Sequence, residues 1–468
     1  MPAAEEERIF GVFYGRVASR ADFWCAMGDR LPGTSGTAVA EQFFSAVPPD
    51  FESHPTKRYY PAVATRMPGF MMRAPAAARR CRAETEALWE PELSRIAEAD
   101  LPEALGRFRA AVERFEDSVY RQGAAVLSVV QPIYDQLTKL VAGLDGVGAE
   151  LMSGHGEHEE SQMIEDLWAC SRGRIGMDAV IARHGYHGPQ EGEISALVWR
   201  EDPSPLCRIL EAYRALGDDA DPARAQAARV AQRQQAEAQV LARLKGPQRA
   251  KARAILALAG RYVPLRGVGK MAFLQNLDLA RAAARRTGTN LAAQKVLADP
   301  SDVFFLTVDE LSAGRWDGVA DLVEFRRERR RAYEAIELPT VWKGTPIATA
   351  SREDETGAAY QLEGIGASRG MAEARVRVVS DPGEAVVEPG EILVAHTTDP
   401  SWASVLFLCS ALVVDIGGML SHAAVVAREL GVPCVVNTKI GTKVLQTGDF
   451  CRVDGSSGRI EILKRAGS

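Results

Sequence analysis

Through roughly the first 350 residues, apolar positions recur at three- and four-residue intervals, the spacing that lays one apolar stripe along a helix. The stretch from Pro102 to Leu144 has this period and is rich in Ala, Leu, Glu and Arg. Residues 218–262, 270–296 and 317–337 share it. Helices with one buried stripe pack as a bundle, so a large, mostly helical domain is predicted over 1–350. In the first hundred residues Pro and Gly interrupt the pattern, which predicts short helices and loops there.

Near residue 350 the pattern changes. ASREDETGAAY is polar and aperiodic, so 351–362 is predicted to be a linker. Short β-rich runs follow: RVRVV at 375–379, EILVAH at 391–396, ALVVD at 411–415, PCVVN at 433–437 and FCRVD at 450–454. One helix, at about 421–430, sits between two of them. The expected fold class is therefore multidomain α and α/β, with a small β/β/α domain over 363–468.

Composition narrows the function. The net charge of -6 leaves no basic footprint for a nucleic-acid partner. The seven Cys, at 25, 81, 170, 207, 409, 434 and 451, are widely spaced with no CxxC pair, which argues against a structural zinc site and fits a reducing cytoplasm. The opening MPAAEEERIF lacks the basic and apolar regions of a signal peptide, and no long apolar run predicts a membrane span. The cluster GHGEHEE at 154–160 has His155 and His158 at a metal-compatible spacing, but it lacks a further soft ligand and reads as a polar loop. No metal is expected in the chain itself.

The chemistry gathers in VVDIGGMLSHAAVVARELGVPCVV, residues 413–436, which reads as strand, Gly turn, helix, Gly stop and strand. Gly417 and Gly418 allow a ligand close to the backbone. Ser421 is suited to cap a helix that ends at Leu430, with Gly431 as its stop. His422 then lies in the first turn, where free N–H groups favour a phosphate. The positive helix end also keeps an imidazole neutral and nucleophilic. Taken alone, a histidine at a helix start is more commonly a structural residue. Arg428 on the same helix reads as an ion-pair former or a phosphate contact.

GGMLSHAAVVARELGVPCVV resembles the phosphohistidine signature of the phosphoenolpyruvate-utilising enzymes: phosphoenolpyruvate synthase, pyruvate phosphate dikinase and rifampicin phosphotransferase. The flanks GIGASRGMAEARVRVV (364–379), GEILVAHTTDPSWASVLFLCSALVVD (390–415) and GDFCRVDGSSGRIEIL (448–463) resemble the same swivelling domain. The resemblance implies that His422 carries a phosphoryl group, with Ser421 beside it. It also implies that the TTDP loop, holding His396, Thr398 and Asp399, lies near the histidine loop. Gly417 and Gly418 are assigned to the binding site on the same ground.

Upstream, RHGYHGPQEGEISALVWREDPSPL (183–206) resembles part of the helical drug-binding domain of rifampicin phosphotransferase, as does ADPSDVFFLTVDEL (298–311). The family's Gly-His-Arg-Gly turn is Gly185-Tyr186-His187-Gly188 here. His187, Gln190 and Glu191 are the implied acceptor-binding residues, with His184 and Glu193 as further candidates for a general base. In RYVPLRGVGKMAFLQNLDLAR (261–281), Arg266 and Lys270 match an Arg and a Lys that the related enzymes place near the incoming phosphohistidine. Two cations there would neutralise a phosphoryl group in flight; two surface cations at a helix start are the plainer alternative.

No segment of 1–350 resembles the ATP-grasp domain that charges the histidine in such enzymes. The expected function is therefore the phosphotransferase component of a split dikinase-like system. A separate ATP-grasp protein, with ATP and Mg, would charge His422, which would deliver the group to a small-molecule hydroxyl. No cofactor would be bound directly. The alternative is a non-catalytic binding or regulatory protein that keeps the histidine domain as a docking module.

Overall fold

The computed structural model describes residues 9–31, 35–37, 39–40, 51–142, 150–152, 154, 159–339, 341–347, 349–350, 361–380, 387–419 and 421–467. The expected single helical domain over 1–350 divides between two compact units. One comprises Met1–Pro68, Glu92–Ala111 and Leu279–Gly357; the other comprises Gly69–Pro91, Val112–Asp278 and Ala358–Ser468.

In the first unit a hairpin of Phe10–Phe13 and Arg16–Ser19 precedes a helix, Ala21–Arg30. Its C-terminal helix Val319–Glu334 is tied down by Arg326, which pairs with Glu310 at 2.6 Å, and by Arg327, which pairs with Asp302. The prediction of short helices in the first hundred residues is corrected by one 39-residue helix, Tyr60–Glu98. Pro61 falls in its first turn, where the missing N–H costs nothing. Pro68, Pro75 and Pro91 lie inside it, each removing one backbone bond. The Ala, Arg, Met and Glu around them are strong helix formers and carry the helix through.

The second unit holds the helices from Gln131–Ala142 to Leu265–Val268 and an eight-stranded mixed sheet. Its strand order is Gln361–Glu363, Arg459–Lys464, Phe450–Asp454, Met371–Val379, Ile392–Ala395, Ala411–Val414, Cys434–Val436, Ile365–Ser368. The four strands from Met371–Val379 to Cys434–Val436 run parallel, and the outer pairings are antiparallel. Ile392–Ala395, Ala411–Val414 and Cys434–Val436 are buried throughout, which is why they read as continuous apolar runs.

Alternate side chains of these strands feed two cores. Leu393, Ala395, Leu412, Val414, Cys434 and Val436 join one, which continues through Trp402, Val405 and Leu406 into Met163, Leu167, Trp168, Leu206 and Tyr213 of the helical segment. Ile392, Val394, Ala411, Val413 and Val435 join the other, with Val444, Cys451 and Ile460. The histidine-bearing domain is thereby seated on the helices Glu159–Ser171 and Ser204–Ala215, and Tyr213 Oη donates to the Ser404 carbonyl at 3.1 Å.

Of the expected linker, residues 351–360 lie outside the described residues. Residues 361 and 362 already belong to a strand that pairs with Arg459–Lys464.

Candidate phosphohistidine site

The helix of the site runs His422–Leu430, as the sequence predicts. Ser421 is extended, and its Oγ accepts from the Ala424 N–H at 3.4 Å. Gly431 ends the helix at φ 72, a left-handed conformation that glycine adopts without strain. Arg428 donates to the carbonyls of Met419 at 2.5 Å and Ala367 at 3.3 Å, and so ties the segment before His422 to the helix. Gly417 and Gly418 are buried in that loop; the Gly418 carbonyl accepts from Ser421 N–H at 3.0 Å, and a Cβ on Gly417 would lie 2.9 Å from Ser421 Oγ. Loss of the cap in Ser421→Ala is expected to cost about 1 kcal/mol. Urea denaturation measures it, and an unchanged midpoint would show that the cap contributes nothing.

The imidazole of His422 is held from one side. Its Nδ1 lies 3.2 Å from Thr398 Oγ1, and its Nε2 is buried with no hydrogen-bond partner among the described residues. The ring faces a cavity of about 140 Å3, lined on its polar side by Glu160, Ser161, Arg266, Lys270 and Glu429. Ile164, Val425, Val426 and Leu430 form the apolar side. Burial, and then the charge of Lys270, push the His422 pKa down to about 3; Arg266 adds to this and Glu160 opposes it. The ring is therefore neutral at neutral pH. With Nδ1–H donating to Thr398, Nε2 carries the free electron pair.

Arg266 and Lys270 both line this cavity. Arg266 lies in the short helix Leu265–Val268, and Lys270 opens the helix Lys270–Ala293. Gln122 clamps the turn between them, donating to the carbonyls of Arg266 and, at 3.4 Å, of Leu265. A Cβ on Gly269 would come within 2.1 Å of Gln122 Oε1, so only glycine leaves room for that clamp. Burial holds the Arg266 pKa below its ordinary value, with Tyr134 opposing and Arg428 adding.

Lys270 Nζ donates to Glu160 Oε1 at 2.6 Å. Burial raises the Glu160 pKa, but the charge of Lys270 reverses this and leaves it well below the usual carboxylate range. Glu160 is the residue that the sequence reading missed. It is the last residue of GHGEHEE, read there as loop, and the structure places it at the start of the helix Glu159–Ser171. His155 and His158 of the same cluster lie outside the described residues. Among the described residues, no group of three or more His, Cys, Asp or Glu could hold a metal ion.

The implied acceptor residues form a network of their own. His187 Nδ1 meets Glu191 Oε1 at 3.0 Å, both side chains being almost wholly buried, and His184 Nε2 meets Asp166 Oδ2 at 2.8 Å. The His187 ring lies between Tyr186 and Trp199, with centroids 4.3 Å and 5.7 Å away. Gln190 is exposed in a turn at φ 55 and its carbonyl accepts from Glu193. None of these residues lines the cavity at His422.

The TTDP loop links the two groups. Thr398 touches His422, while Asp399 accepts from the Ser401 N–H at 2.8 Å and lies within electrostatic reach of Glu191 and Lys270. Burial raises the Asp399 pKa; Glu191 adds to the rise, and Ser401 and Lys270 oppose it. His396 is exposed, with Nδ1 3.4 Å from Asp415.

Residues 387–458 match the mobile domain of the PEP-utilising enzymes, and residues 137–267 match the fourth domain of rifampicin phosphotransferase. The chain is therefore similar to the PEP-utilising enzymes in two places, a helical segment and the mobile domain. Among similar proteins, a rifampicin phosphotransferase from Streptomyces sp is 35% identical over 301 residues, 62% of this chain and 34% of that one. An uncharacterized protein of Mycobacterium tuberculosis is 34% identical over 282 residues, 60% of this chain and 30% of its own. A prodigiosin synthesizing transferase of Serratia marcescens is 31% identical over 297 residues, 61% and 33% of the two chains. The chain thus spans 30–34% of the length of these relatives. Among the described residues, no helix is long and apolar enough to cross a membrane.

Proposed function

We propose that this chain is the carrier and acceptor component of a phosphotransferase. His422 receives a phosphoryl group from a separate ATP-grasp protein, which binds ATP and Mg, and passes it to a hydroxyl of a small molecule held by the helical segment. The observation that carries this reading is the buried Nε2 of His422, without a hydrogen-bond partner among the described residues, on a ring that faces a cavity with Arg266 and Lys270 in its wall. The relatives named as phosphotransferases support it.

The chemistry follows from the geometry. Nε2 attacks the donor phosphorus with its free electron pair, while Thr398 holds the proton on Nδ1. In the seated pose Nε2 is covered, so charging takes place with the domain lifted from the helices. Once it is reseated, Arg266 grips phosphoryl oxygens through its fork and Lys270 adds a point charge. The cavity, at about 140 Å3, equals between four and five waters at about 30 Å3 each, room for a phosphoryl group and the reacting end of an acceptor.

The test is incubation with labelled ATP and a candidate ATP-grasp partner. Wild type is expected to gain acid-labile, base-stable label and His422→Ala none. Label that persists in His422→Ala removes the carrier role. No label on either chain, with partner binding unchanged by His422→Ala, favours a docking module instead.

A further inference from the structure

We infer that Glu160 is the general base of the transfer step, freed for that task when the arriving phosphoryl group draws Lys270 away from it. The inference rests on the carrier reading above and adds a residue to it.

Glu160 and His422 line the same cavity, and Lys270 lies in it paired to Glu160 at 2.6 Å. The charged groups facing Glu160 are Lys270 and Arg266 from the turn 265–270, and His422 and Glu429 from the histidine helix. Arg428 and Tyr134 flank Arg266 in turn. With His422 neutral, the described residues lining the cavity comprise two cations and two carboxylates, with Asp399 in electrostatic reach of Lys270 and Arg229 of Glu429. A phosphoryl group on Nε2 adds negative charge to this site. Lys270 is the cation that can follow it, because its flexible stem carries a point charge with three donors.

Once Lys270 turns to the phosphoryl oxygens, the main influence holding Glu160 ionised weakens, while burial and the new negative charge both favour protonation. A carboxylate in that position is poised to take a proton. The acceptor hydroxyl oxygen then forms its bond to phosphorus and its proton passes to Glu160. The P–Nε2 bond breaks, and its electron pair returns to Nε2, leaving neutral imidazole with Nδ1–H still on Thr398. When the phosphoester leaves, Glu160 releases the proton to water and Lys270 returns to it.

The full-length chain can be charged directly with phosphoramidate, which bypasses any protein donor, and its discharge followed by 31P NMR with water and with phenol as acceptors. Glu160→Gln is expected to charge at His422 like wild type but to discharge about 10²-fold more slowly. Wild-type discharge is expected to fall on the acid side with the titration of a carboxylate. Glu160→Gln should lack that limb, Glu160→Asp should restore part of it, and Lys270→Met should be slow yet keep it. A charged Glu160→Gln that discharges at the wild-type rate, or with the wild-type pH profile, overturns this inference alone. A wild-type chain that takes no phosphoryl group at His422 overturns both it and the carrier reading.

Discussion

Arg266→Met is expected to leave His422 fully chargeable while slowing delivery of its phosphoryl group by about 10²–10³-fold, the usual effect of removing one preorganised donor from a transition state. The separation of the two steps is the informative part. In the proposed cycle charging would uncover Nε2, away from the cavity wall that contains Arg266, so the substitution would have no contact with that step. Delivery would take place against that wall. Arg266 is half-buried there, and a guanidinium partly withdrawn from water interacts more strongly with developing charge than it would in solvent. Arg266→Lys should recover only part of the loss, since an ammonium cannot grip two oxygens at once. The measurement is the decay of acid-labile label from chemically charged protein. Equal losses in charging and delivery would place Arg266 in the folding of the domain instead of in the transfer.

The largest effect on stability is expected at Asp278, far along the sequence from the histidine. Asp278 is fully buried and accepts from Arg200 twice, Nε at 2.8 Å and Nη2 at 2.7 Å, and from Trp89 Nε1 at 2.9 Å. It thereby joins the Tyr60–Glu98 helix, the 183–206 segment and the Lys270–Ala293 helix. Truncation in Asp278→Ala strands the Arg200 charge, a change that costs about 3–5 kcal/mol in buried pairs. Glu201 remains 3.3 Å from Arg200 and softens the loss, so the lower end of that range is expected. Urea unfolding followed by tryptophan fluorescence reads it directly. A loss below about 1 kcal/mol, the level of an exposed ion pair, would mean that water reaches the pair.

The sequence exposes the parts of this site that are local. The run from Ala411 to Val436 shows its buried strands as apolar runs, its cap as Ser421 and its stop as Gly431, because each depends on residues a few positions away. The resemblance named Arg266 and Lys270, and both line the cavity. Glu160 escaped because its meaning depends on a lysine 110 positions further on, a pairing with no local trace. One cue was present: Glu160 stands just before the periodic apolar residues Met163, Ile164, Leu167 and Trp168, where a first helical turn favours an acid. The Tyr60–Glu98 helix was hidden by its prolines, which read as breaks although strong helix formers surround them. His187 and Glu191, expected as acceptor contacts, form a buried pair whose closeness has no trace in the sequence beyond their four-residue spacing.

The apolar core that seats the histidine domain has a consequence for timing. Trp402, Val405 and Leu406 share one continuous interior with Leu167, Trp168 and Tyr213, so lifting the domain wets surface that would otherwise stay dry. In the proposed cycle the seated arrangement is therefore the resting position, and each turnover would begin with a climb out of it. Under that proposal, a partner presenting a complementary greasy face would lower the climb and so set the rhythm of the cycle.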